Sequence, residues 1–117
     1  MITANFDAVK NLLHISFEGE TTVPEIEGIC RKIEAMASAF KPGLRLLNDL
    51  SRSAIPSLDL REGVANLMKL MNRLGVVEVI RVIPDPAQDI GYNIMSLFHY
   101  RPDVRFRTVE SCDQVHS

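Results

Sequence analysis

The stretch GVVEVIRVIPDPAQDIGYNIMSLFHYRPDVRFRTV, residues 75–109, decides the fold. Val76 to Ile83 is almost wholly apolar, broken only by Glu78 and Arg81, and this predicts a strand covered on both faces. Pro84-Asp85-Pro86-Ala87-Gln88 reads as a corner in which Asp85 caps a helix, Pro86 takes its first position and Gln88 completes a capping box. Ile90, Ile94, Leu97 and Phe98 make the stripe of that helix. Gly91 within it costs about 1 kcal/mol relative to alanine, and a close approach to a neighbouring element would explain it. Arg101-Pro102 ends the helix, because the residue before proline is pushed out of helical geometry. Val104 to Val109 is a second strand. Two strands joined through a helix run parallel, with a right-handed crossover.

Working toward the N-terminus, the same logic repeats. Ser57 stands where a cap belongs, and Asp59 and Glu62 load the first turn of a helix with negative charge. Leu60, Val64, Leu67, Met68, Met71 and Leu74 form its stripe, and Gly75 stops it. Before it come a strand over 44–50 and a loop over 51–56. An earlier helix opens at Thr22-Val23-Pro24-Glu25, another capping box, and carries Ile26, Ile29, Cys30, Ile33, Met36, Ala37 and Phe40 on one face. Residues 3–9 and 12–18 are two strands around Lys10-Asn11. Leu13, Ile15 and Phe17 alternate with His14, Ser16 and Glu18, which predicts an antiparallel hairpin with one face on the core. Ser111-Cys112-Asp113-Gln114 begins a short last helix. The expected fold is α/β: a mixed, mostly parallel sheet of about five strands in the order β-β-α-β-α-β-α-β, one domain over 1–117 with helices packed on it.

Composition narrows the function. The chain is 46% apolar and 24% charged with a net charge of −2, values ordinary for a globular protein and without a field that favours nucleic acid or an anionic membrane. No window approaches the roughly 18 uninterrupted apolar residues of a membrane span. MITANFDAVK lacks the basic segment and apolar run of a signal peptide. Cys30 and Cys112 form no C-x-x-C pair, and Cys30 falls on a core stripe, so a buried thiol and a reducing, cytoplasmic compartment are expected.

The order and lengths of these elements resemble the STAS domain, the fold of bacterial anti-sigma-factor antagonists and of the cytoplasmic tails of sulfate transporters. The likeness is strongest over Leu46-Leu47-Asn48-Asp49-Leu50-Ser51, where that family shows an apolar strand ending in Asp-Leu-Ser. Arg81-Val82-Ile83-Pro84-Asp85-Pro86 through Asp89-Ile90-Gly91-Tyr92-Asn93-Ile94 is similar to a group of uncharacterised bacterial proteins with a STAS-like fold. The resemblance implies a regulatory, non-catalytic module that binds a protein partner, a kinase or another regulator. Partner-switching members carry Asp-Ser-Ser-Gly at the start of the second helix, where a serine is phosphorylated. Here Pro56-Ser57-Leu58-Asp59 stands at about that place, without Ser-Ser and without Gly. Ser57 is the nearest equivalent. A phosphate at a helix N-terminus is electrostatically favoured, and Asp59 opposes it.

No catalytic constellation emerges from the residues. The three histidines, His14, His99 and His116, include no pair with ligand spacing on one element, so neither metal nor cofactor is expected. In parallel α/β sheets ligands gather at the carboxyl ends of strands, and Asp49, Arg52, Asp59, Asp85 and Asp89 all fall near that edge, the expected surface for a partner or ligand. Arg101, Arg105 and Arg107 form a small basic cluster that suits an anion or a phosphate-bearing ligand, although local ion pairs are its ordinary fate. Leu70 beside Met68 and Met71 widens the second helix's apolar band beyond what a sheet needs. An exposed remainder there would suit a homodimer or partner contact through helices two and three. The alternative to a regulatory module is a small-molecule binder for an apolar or anionic ligand.

Overall fold

The computed structural model of the chain describes residues 1–54, 58–83 and 99–112, without the side chains of residues 58 and 59. The elements are β1 (Ile2–Asp7), β2 (Leu12–Gly19), α1 (Val23–Met36) with a 3-10 turn at Ala37–Ala39, β3 (Arg45–Ser53), α2 (Leu58–Arg73), β4 (Glu78–Val82) and β5 (Arg105–Val109). The five strands lie in one sheet in sequence order, β1-β2-β3-β4-β5. β1 and β2 pair antiparallel, and every later pair is parallel. This is the mixed sheet expected from the hydrophobic pattern. The helix expected after Asp85 lies outside the described residues.

Local chemistry sets the ends of these elements. Thr22 caps α1: its hydroxyl accepts from the Glu25 backbone N–H at 3.3 Å, and the Glu25 carboxylate accepts from the Thr22 backbone N–H at 3.1 Å. Hydrogen bonds from the Thr22 backbone and side chain hold the Glu25 carboxyl below its ordinary value. Gly75 closes α2 with φ +87°, a conformation that only glycine adopts without strain, and Val76 N–H turns back to the Met71 carbonyl. The β1–β2 turn is longer than the pair Lys10-Asn11. It spans residues 8–11, with Asp7 Oδ1 accepting from Val9 and Lys10 and with Asn11 at φ +51°.

Sequential parallel strands with right-handed crossovers put their helices on one face of the sheet. Ile26, Ile29 and Ile33 of α1 and Leu60, Val64, Leu67 and Met68 of α2 accordingly share one core with Leu13, Ile15 and Leu46. The helices touch closely: a Cβ placed on Gly63 would lie 3.2 Å from the Ile26 Cδ1. The opposite face carries a smaller cluster of Leu12, Leu47, Ile80 and Val82, with Val109 packed against it. β4 is thus buried on both sides, as its nearly continuous apolar run predicts.

Three expectations are corrected. Residues 51–53 continue β3 rather than opening the loop, because Arg52 and Ser53 pair with Glu18 and Gly19 beyond a bulge in β2. Leu70, Met68 and Met71 are all buried, so among the described residues the wide apolar band of α2 is taken up by the core rather than left exposed; the helix expected to share a self-association surface with it lies outside the described residues. Cys30 is half-buried rather than fully enclosed. Burial, reinforced by Glu34 and Glu27, pushes its thiol up, away from an activated nucleophile.

Arg81 is the unexpected tenant of the core. It sits in β4 on the helix-bearing face, only 2% exposed. Its guanidinium lies 5.2 Å from the centre of the Phe106 ring, and Phe106 meets Tyr100 edge-on at 5.4 Å. Burial raises the Tyr100 phenol, with Arg81 pulling the other way, so Tyr100 stays neutral at any ordinary pH.

Two outcomes follow in chemical denaturation. Thr22→Ala loses the α1 cap and lowers stability by about 1 kcal/mol. Arg81→Ala opens a cavity beside Phe106 and costs roughly 3 kcal/mol or more, whereas Arg81→Met, which fills the volume without a charge, costs less. Equal losses for the two Arg81 variants would show that the guanidinium's charge, not its volume, is what the site needs.

Candidate functional site

The parallel strands β2 to β5 all end at one edge. Register places Ser16 beside Asp49, Asp49 beside Val82, and Val82 beside Val109, so side chains three strands apart in sequence line one rim. The chain leaving β5 brings Cys112 back to Asp49, with the Cys112 thiol donating to Asp49 Oδ2 at 3.4 Å. An open cleft of about 400 Å³ lies there, lined by Ser16, Phe17, Glu18, Asp49, Ser51, Arg52 and Cys112.

Asp49 is the fixed point of this rim. Its Oδ1 accepts from the Ser51 backbone N–H at 3.0 Å and from the Ser51 hydroxyl at 2.5 Å. Partial burial works to raise its carboxyl. The Ser51 hydroxyl and backbone, the Cys112 thiol and the nearby His14 imidazole outweigh that burial and leave the carboxyl below its ordinary value of 3.8. His14 shares the Asp49 side of the sheet, where its Nε2 lies 3.2 Å from the Ser16 hydroxyl. Arg52 and Glu18 complete the outer wall as an exposed pair, Nη1 to Oε1 at 3.7 Å.

The residues singled out from the sequence fall into three groups. Asp49 and Arg52 meet at the cleft. Ser57, Asp85 and Asp89 lie outside the described residues, as does the side chain of Asp59. The arginines do not converge on one point. Arg105 and Arg107 reach Glu78 at 3.7 and 4.0 Å, in company with Arg45 at 3.9 Å, toward the starting ends of the strands. Arg101 instead pairs with Asp103 at 3.7 Å and donates to the Val76 carbonyl at 2.8 Å.

His14 and Cys112, which show no ligand spacing along the chain, join Asp49 in the folded protein. The three donor groups of His14, Asp49 and Cys112 lie within 4.8 Å of one another. Ligand spacing sought within single elements cannot see this set, because its members come from β2, from β3 and from beyond β5. Strand alternation was the available signal: given the β2–β3 register, His14, Ser16 and Asp49 must share a face.

The chain has the STAS-like, SpoIIAA-like fold. Its structure is similar to that of a DUF3478-family protein with a SpoIIAA-like fold from Shewanella loihica PV-4, with a TM-score of 0.73 at 16% identity over 96% of this chain and 88% of that one. It is also similar to the anti-sigma factor antagonist SpoIIAA in its unphosphorylated form, with a TM-score of 0.61 at 14% identity over 97% and 92%. No family model matches the sequence, and neither does any curated protein. Among the described residues no helix is long and apolar enough to cross a membrane.

The depressed Asp49 carboxyl has a consequence for stability. A group whose folded value lies below its unfolded one stabilises the fold above about pH 4, and that contribution disappears as the pH falls through the folded value. Carbon-detected NMR titration should therefore place Asp49 below 3.8. In Ser51→Ala the midpoint moves up, since the hydroxyl donor is gone. An unchanged midpoint would assign the depression to other neighbours.

Proposed function

We propose that this chain is a non-catalytic, cytoplasmic regulatory module, one domain throughout, that acts by docking a protein partner at the rim formed by Asp49, Ser51, Arg52 and Glu18. Support comes first from the fold it shares with an anti-sigma factor antagonist, a protein that works through other proteins. The observation that carries the reading is the rim itself. Asp49 is held rigid by two hydrogen bonds from Ser51, while beside it Arg52 and Glu18 form an ion pair whose side chains are 79% and 45% exposed. Exposed pairs of this kind contribute about 0–1 kcal/mol, so a partner can part them at little cost and take both charges. A fixed anchor flanked by two exchangeable charges suits a polar protein surface.

A kinase or another regulator is the partner class we favour, with Ser57 as the position for modification. Ser57 directly precedes α2 in the chain, and a phosphate there would meet the positive end of the helix dipole. Asp59, Asp85 and Asp89 belong to the same docking edge in this reading. A second reading, binding of a small anionic or apolar molecule, draws on the cleft volume of about 400 Å³, which falls within the usual range for ligand sites.

Placing a photo-crosslinking residue at position 52 in living cells tests the docking. A discrete protein adduct is expected there, absent when the same residue replaces Val9, which is 97% exposed in the turn at the far end of the strands. Equal labelling from both positions would sink the proposal. Intact-mass measurement after incubation with serine kinases should add one phosphate to the native chain and none to Ser57→Ala.

A further inference from the structure

We propose that His14, Asp49 and Cys112 form a binding site for a borderline-soft divalent transition ion of the zinc class. The donor set matches: imidazole nitrogen, carboxylate oxygen and thiolate sulfur are the three ligand types that zinc accepts. The spacing matches as well. Ligands bound to one tetrahedral zinc, with metal–ligand bonds of about 2.0–2.3 Å, stand roughly 3.5 Å apart. Cys112 Sγ and Asp49 Oδ2 are already 3.4 Å apart, and the whole set fits within 4.8 Å. His14 would reach the ion by turning its ring, whose Nε2 now lies 3.2 Å from the Ser16 hydroxyl.

The neighbours are arranged for this exchange. Asp49 spends Oδ1 on Ser51, which fixes the carboxylate plane and leaves Oδ2 toward Cys112. That is the role an outer hydrogen bond performs for a metal-bound carboxylate. The bond now joining sulfur and oxygen is a thiol hydrogen bond. On metal binding the Cys112 thiol loses its proton to solvent, and the ion takes the proton's place between Sγ and Oδ2. Binding therefore releases a proton and tightens as the pH rises. Three protein ligands leave a fourth position, and it opens to the cleft of Ser16, Glu18, Ser51 and Arg52, where water or a partner's side chain could complete the tetrahedron.

The three ligands come from β2, from β3 and from the segment after β5. The ion would pin that last segment across the sheet edge. This inference stands on its own geometry and holds whether or not a protein docks at the rim.

Cobalt(II), added to chelator-stripped full-length protein at neutral pH, is the direct probe. The native chain should bind one equivalent and show both the visible bands of a tetrahedral ion and a near-ultraviolet sulfur-to-cobalt charge-transfer band. Equimolar zinc should displace the cobalt and abolish both. Cys112→Ser should lose the charge-transfer band, while Cys30→Ser keeps it. His14→Gln and Asp49→Asn should each weaken binding by roughly tenfold or more. Circular dichroism of each variant establishes that it is folded. A folded native chain without the band, or a band that survives in Cys112→Ser, would overturn the site.

Discussion

Burial of β3 and β4 on both faces is the constraint from which the rest of the structure follows. Leu46 and Val79 face the helices, whereas Leu47, Ile80 and Val82 face the other way, and all are nearly closed to solvent. A slip of one residue between these strands would exchange the two faces and expose each set to the wrong surroundings. Their register is therefore held by every apolar side chain at once. β2 and β5 are aligned by pairing to them, and the short β1 is aligned in turn by the hairpin.

That rigidity leaves the ends of the strands as the place where polar groups can gather without disturbing the core. With β2 through β5 parallel, their carboxyl ends coincide, and polar residues spaced far apart in the chain come to one rim. Asp49 shows how well such a position can be controlled, with three neighbours, Ser51, Cys112 and His14, acting on one carboxyl. The arginines farther back show the contrary case. Arg45, Arg105 and Arg107 surround Glu78, so their charge is partly answered before any ligand arrives.

Much of the fold was legible because it rests on short-range chemistry. Thr22 and Glu25 form the capping box their spacing announces, Gly75 takes the left-handed turn that ends α2, and the mostly apolar run before Pro84 is a strand covered on both faces. Other features escaped for definite reasons. Leu70 and the methionines of α2 looked like surplus apolar surface, since a helical wheel counts faces but not the elements that cover them. β3 runs past Leu50 to Ser53 because a bulge in β2 offers new partners, a feature with no signature in β3 itself. Arg81 read as an interruption of an apolar strand, whereas its guanidinium is housed against Phe106, a residue 25 positions later.

The amino-acid sequence alone determined the five strands, the helices α1 and α2, their order and the parallel pairing of β2 through β5. Caps, turns and hydrophobic period act over a few residues, and crossover handedness constrains what joins them. Only the tertiary structure decided that His14 and Cys112, nearly a hundred residues apart, meet on either side of Asp49. That meeting depends on the lateral register of strands and on the path of the chain after β5. Both are settled by packing summed over the whole sheet, and neither is encoded in the neighbourhood of any one of the three residues.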